Sequence, residues 1–239
     1  MEVFRGLLHD ASGAGAATHR ALRDGPTGWA LGPLVVPDDR LSTQDDDVDL
    51  SVVVAGGAGS LTALARRAGS LRLVAVESVL RDLDDLPGNA GRVVAAAADL
   101  PDGVDVHVGL PDGRGFVEAV EVVEAAGLLG RVDLAPPGAA TRLSVLVEAD
   151  LAFKATGLGA DAYGPYGLVG LLMAVEALVD GADPEDAEAL LAHVEPARAT
   201  AGLGGWDAAT QARVRRRLRG ADVVDPGPTL DTLGRAGLL

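Results

Sequence analysis

Short apolar, β-branched runs recur along the chain, each closed by a Gly, Pro or acidic residue. They fall at residues 34–36, 50–54, 71–76, 104–108, 131–134 and 151–154, with a weaker seventh at 221–224. Runs of this length bounded by turn residues predict buried strands. Between them the apolar positions follow a helical period. Leu61, Leu64, Ala65 and Ala68 share one face, with Ser60 as the expected N-cap. Phe116, Val120 and Val123 share another, which stops at Gly127. Further helices are predicted over 141–148, 166–178, 184–193 (Asp183-Pro184 as N-cap and first turn) and 207–219, the last closing at Gly220.

Strands that alternate with helices predict parallel βαβ units. The fold expected is α/β, a compact and partly eroded (β/α) barrel of seven to eight parallel strands, with a doubly wound open parallel sheet as the alternative. No linker or composition shift divides the chain, so one domain over 1–239 is expected. The shortest strand-to-strand connections leave room for only a turn or a short helix.

The barrel reading selects candidate residues, because side chains alternate between axis and helices and active sites form at the carboxyl ends of strands. In the run at 104–108 the valines take the outer face and leave Asp105 and His107 toward the axis. The same rule turns Asp133 inward, and Lys154 with Ala152, while Phe153 packs outward. Glu77 continues the face of Leu71, Leu73 and Ala75, and Asp38 follows Pro37 at the level of the mouth. Lys154, Asp133, Glu77 and His107 are therefore the candidate catalytic residues, with Asp38, Thr156, Tyr163, Tyr166 and Arg142 as candidate substrate contacts.

Composition narrows the chemistry. There is no cysteine, which excludes disulfides, thiolate metal sites and a cysteine nucleophile. A formal net charge of -15 opposes binding to phosphate backbones, so no nucleic-acid partner is expected. At 48% apolar the chain buries a substantial core rather than remaining disordered. Residues 1–10 carry one Arg and no long apolar core, and the apolar stretch at 168–179 is interrupted by Glu176. A cytoplasmic chain with no membrane partner is the expectation.

Of the 20 basic residues 19 are arginine, and Lys154 is the sole lysine. This bias, with abundant Ala, Gly, Val and Asp, is the drift expected of a GC-rich bacterial genome. A lysine needed only as a solvated charge is free to follow that drift; one that must lose its proton is not, because guanidinium stays charged. Lys154 is thus either a nucleophile or base toward carbonyl compounds, or a partner for an inward carboxylate such as Asp133 or Glu148. Three of the seven aromatics, Phe153, Tyr163 and Tyr166, lie within the 14 residues from 153 to 166 that include it. The tyrosine hydroxyls could relay protons, or the rings could staple a Gly-rich loop to the rim.

Other features point to structure first. The turn at 55–60 (AGGAGS) lacks the spacing of a dinucleotide fingerprint and the lysine of a P-loop. The acidic run at 45–47 lacks the alternating ligands of a calcium loop. The four histidines show no metal-ligand spacing, so neither metal nor other cofactor is expected; His107 with Asp105 or Asp133 stands as the alternative set. The basic stretch at 213–219 is expected to pair with the chain's own carboxylates or with a second copy in a homodimer.

The segments FRGLLHDA at 4–11, GPLVVPDDRL at 32–41, AFKATG at 152–157 and the tail at 230–239 resemble an uncharacterised family of bacterial proteins common in actinobacteria. Its members carry a Phe-Asp-Asp-Ala-type start, a Pro-Pro-Gly turn and a Phe-Lys-Ala-Thr-Ala-Gly-Leu-His-His stretch. His9 stands here where the first acidic residue is expected. The Pro-Pro-Gly turn is missing, and Gly159-Ala160 replaces the histidine pair. The resemblance implies a degenerate or re-purposed member that retains Lys154. Locally, KATG at 154–157 is also similar to the Schiff-base stretch of deoxyribose-phosphate aldolase, which implies a lysine-dependent lyase or isomerase. That enzyme needs a second lysine, absent here, so Arg142 or desolvation would have to substitute. The functional expectation is a lyase- or isomerase-like enzyme acting on a small carbonyl compound, and the alternative is a non-catalytic barrel that binds a ligand or partner.

Overall fold

The computed structural model describes residues 1–41 and 47–239. Eight parallel strands close into one barrel in chain order. They are β1 (Leu8–Asp10), β2 (Leu31–Pro37), β3 (Leu50–Val54), β4 (Leu73–Val79), β5 (Asp105–Gly109), β6 (Leu129–Asp133), β7 (Phe153–Thr156) and β8 (Leu218–Val223). The barrel is a (β/α)8 fold, as the alternation of runs predicts; β8 pairs with β1 and closes the sheet, which an open doubly wound sheet does not do.

The helices are distributed unevenly. Single helices follow β1 (α1, Ala16–Arg23), β3 (α2, Ala58–Ala65), β4 (α3, Leu86–Ala97), β5 (α4, Phe116–Ala125), β6 (α5, Ala139–Glu148) and β8 (α10, Pro226–Arg235). Four helices follow β7: α6 (Leu168–Val179), α7 (Pro184–Ala192), α8 (Pro196–Gly204) and α9 (Ala208–Arg217). The described part of the β2–β3 connection holds only a 3-10 turn at Asp38–Arg40. Residues Asp45 and Asp46 of the acidic run lie outside the described residues; Asp47 is described and pairs with Arg20.

The hydrophobic core lies between barrel and helices. Val52, Val76, Val108, Val132, Phe153 and Ala221 pack outward against the apolar faces of the helices, such as Leu61, Val93, Val120, Leu143 and Val175. Several boundaries differ from the sequence expectation. The helix expected over 207–219 ends at Arg217, because Leu218–Val223 form β8 and Gly220 pairs with Lys154 inside that strand instead of closing the helix. Gly57, with a positive φ of 62°, caps α2, and Ser60 falls inside the helix. Strand β7 runs two residues beyond Lys154, because Ala155 and Thr156 go on pairing with Val132 and Asp133 of β6. Lys154 therefore sits inside the barrel, one layer below the mouth.

Arg213 lies 3.8 Å from Asp180, Arg217 pairs with Asp150, and Arg215 donates to the carbonyl of Leu218 at 2.9 Å. Three of the five arginines of the basic stretch are thus engaged by their own chain. No helix among the described residues is long and apolar enough to cross a membrane.

Candidate active site inside the barrel

The interior of a (β/α)8 barrel is ordinarily filled by bulky apolar side chains. Here it is polar. Strands β4 and β7 are separated in the wall by β5 and β6, so a contact between them must cross the interior. Lys154 of β7 makes that contact: its Nζ pairs with Glu77 Oε1 of β4. The same ammonium lies 2.6 Å from Asp222 Oδ1 of β8, an ion pair whose angle departs from that of a hydrogen bond. Both Lys154 and Glu77 are 0% exposed.

Glu77 is held on every side. Its Oε1 also accepts from Ser51 Oγ of β3 at 2.7 Å, and its Oε2 accepts from Arg131 Nε of β6 at 2.8 Å. Arg131 is the register partner of Lys154, so two cations stand side by side facing two carboxylates. With Lys154, Arg131, Glu77 and Asp222 all charged, the quartet is neutral.

The two carboxylates are not equivalent. Burial raises the Glu77 carboxyl, but Lys154, Arg131 and Ser51 outweigh it and hold it down at about 2. Burial dominates at Asp222, where fewer partners compensate and Glu77 adds repulsion, and its carboxyl is pushed up to about 6. His107, register partner of Glu77, is buried and lowered to about 4, chiefly by desolvation and then by the Lys154 ammonium. Its Nδ1 lies 3.5 Å from the Gly130 carbonyl.

His9 of β1 fills the far side of the interior. A Cβ added at Gly220 would lie 2.4 Å from its ring, and one at Gly32 2.7 Å from it. These two glycines leave the space that the imidazole occupies. Desolvation, then Lys154, lowers His9 well below the usual histidine range, and its Nδ1 has no partner among the described residues.

At the carboxyl ends of β4, β5 and β6 a cavity of about 180 Å³ opens, lined by Val79, Gly109, Asp112, Arg131, Asp133 and Arg142 among others. Asp133 is exposed there, and its Oδ1 accepts from Ala135 N at 3.0 Å. Arg142 is buried and donates to the carbonyls of Pro137, Asp133 and Pro136 at 2.8, 2.9 and 3.0 Å. It braces the β6–α5 loop and takes no part beside Lys154. The cation next to Lys154 is Arg131.

The structure thus brings Lys154, Glu77 and His107 together, with Asp133 above them at the rim. It does not bring the lysine to Asp133 or to Glu148, which accepts from Ser144 at 2.7 Å instead. Thr156 lines the same strand one level up and approaches the Val132 carbonyl at 3.4 Å. Asp38 opens the 3-10 turn after β2 and is half-buried. The two tyrosines serve the loop: Tyr163 OH meets Thr200 Oγ1 of α8 at 2.6 Å, and Tyr166 OH donates to Glu188 of α7. Asp105 is exposed at the amino end of β5, and the described residues hold no group of three or more His, Asp or Glu that could hold a metal ion.

Within the charged quartet, alternation misses neither unexpected member in principle, whereas His9 lies in a strand too short to show a period. Arg131 shares the inward face of Asp133, and Asp222 lies between the outward Ala221 and Val223. Each stands in an apolar run, and each is the polar residue that the alternation leaves facing the axis. No family model, no curated protein and no solved structure matches this chain.

Proposed function

We propose that this barrel is an enzyme of the lyase or isomerase type that acts on a small carbonyl compound through Lys154. The observation that carries this reading is the pairing of the chain's sole lysine with a carboxylate raised to about 6, inside a barrel where an apolar filling would serve stability as well or better. Asp222 is the group suited to take the ammonium proton, since Glu77 is held ionised by three partners. The freed amine then attacks the carbonyl carbon and the carbonyl oxygen takes up a proton. Loss of water from that carbinolamine gives an imine, which acts as an electron sink for breaking or forming a neighbouring bond. Glu77 and Arg131 position the lysine, and His107, neutral near pH 7, is a hydrogen-bonding neighbour rather than an acid. Substrate reaches the amine from the mouth cavity, which Arg131, the register neighbour of Lys154, lines.

Borohydride reduction in the presence of small aldehydes and oxo acids, read by intact mass and peptide mapping, tests this reading. Only Lys154 and the α-amine can be alkylated. An adduct on Lys154 that vanishes in the folded Lys154→Arg variant is expected, and a folded chain that gives no internal adduct with any carbonyl compound sinks the proposal.

One observation favours a second reading, a non-catalytic barrel whose charged quartet is only core: the lysine has no exposure at all. In that case trapping fails, and Lys154 is replaceable without loss of any ligand binding.

A further inference from the structure

The quartet leaves one cation with unused donors. Arg131 spends Nε on Glu77, and neither of its Nη atoms has a hydrogen-bond partner among the described residues. The side chain is 20% exposed and lines the mouth cavity. A second guanidinium, Arg142, lines the same cavity while 6% exposed. Three backbone carbonyls satisfy its donors, yet among the described residues its charge meets a carboxylate only at Asp112, 4.0 Å away and 74% exposed. A buried guanidinium paired mainly with dipoles is a standing positive potential, since carbonyls satisfy hydrogen bonds without cancelling charge.

We infer that this cavity is the subsite for a carboxylate group, taken edge-on by the two Nη atoms of Arg131 and held by the field of Arg142. The paired N–H donors of a guanidinium edge match the two oxygens of a carboxylate. About 180 Å³ accommodates a compound of a few carbon atoms, and Asp112 and Asp133 at the rim weigh against a dianion such as phosphate. Arg131 is also the register neighbour of Lys154. A carboxylate seated on it places the adjacent carbon toward the lysine, so the substrate class is a short oxo acid. The oxo part of that assignment rests on the Lys154 reading; the carboxylate subsite does not.

Calorimetric titration of the full chain with propionate, pyruvate, propanal and inorganic phosphate separates the two. Propionate and pyruvate are expected to bind saturably and more weakly as salt rises, with phosphate weaker than either. Asp133→Asn retains the acceptor for Ala135 N and removes a rim charge, and it should tighten propionate about threefold. Arg131→Lys keeps the charge but loses the fork, and it should weaken propionate about tenfold. Failure of both carboxylates to saturate the wild-type chain overturns the subsite, as does unchanged affinity in both variants. Phosphate binding tighter than propionate overturns the carboxylate assignment. Saturable propionate binding without any borohydride adduct keeps the subsite and removes the lysine chemistry. Adducts with propanal but no carboxylate binding do the reverse.

Discussion

Lys154 owes its position to charge arithmetic. Two cations and two carboxylates share the barrel interior, and removing one member leaves an uncompensated buried charge. Lys154→Met fills much of the same volume but leaves Glu77 and Asp222 facing only Arg131. It should cost about 3–5 kcal/mol, the usual penalty for breaking a buried ion pair. Adding Asp222→Asn returns the interior to a neutral Arg131–Glu77 pair joined at 2.8 Å. The double variant should therefore regain at least about 1 kcal/mol over the single one. Urea unfolding of the wild type, both singles and the double measures this cycle. Strict additivity would show that the lysine and Asp222 are not coupled. The inward face of each residue was legible from alternation alone. Who pairs with whom was not, because partners on β4, β7 and β8 meet across a space whose closure no local pattern describes.

At the level of elements, the apolar runs marked seven strands to within a few residues. The eighth, β1, escaped because three residues, Leu8-His9-Asp10, carry no period. Its two polar residues serve opposite faces. His9 enters the barrel, while Asp10 turns outward and meets His19 Nδ1 of α1 at 3.0 Å. The helix α3 was equally hidden, since its small residues (Gly88, Ala90, Gly91, Ala95 to Ala97) blur the apolar stripe. The closeness of β1, β2 and β8 around the imidazole leads to a specific expectation. A methyl at Gly220 lands 2.4 Å from the His9 ring, well inside contact distance. Gly220→Ala should destabilise by about 1–3 kcal/mol, as overpacking does. His9→Ala should cost stability on its own by opening a void. In the double variant the new methyl moves into vacated space, and the combined loss should fall well short of the sum. Thermal unfolding of the four proteins checks it; a fully additive cycle would mean that the wall of the barrel relaxes instead of the ring yielding.

For the whole molecule, the polar interior ties stability to pH in two opposed ways. His107 is lowered from 6.5 to about 4, so the native state resists a proton that the unfolded chain accepts. Its contribution is present above pH 6.5 and is lost as pH falls toward 4, by about 2 kcal/mol between pH 7 and pH 4.5. His9, lowered by the same burial, acts in the same direction. Asp222 acts against them. Its carboxyl is raised from 3.8 to about 6, so its contribution is present below 3.8 and is lost as pH rises through 6. Glu77, lowered to about 2, enters only below its unfolded value of 4.5, where its contribution is lost as pH falls. The basic side chains that face these groups are Lys154 and Arg131. The wild type should consequently lose less stability between pH 7 and pH 4.5 than its histidines alone require. Asp222→Asn removes the opposing group and should steepen the loss. His107→Asn removes a contributor and should flatten it by about 2 kcal/mol. Urea midpoints at the two pH values for the three proteins decide the matter. The two variants must depart from the wild type in opposite directions, because one interior holds a group that burial keeps neutral as an acid and another that burial keeps neutral as a base. Parallel pH profiles for all three would show that neither side chain changes its protonation differently in the folded and unfolded chains.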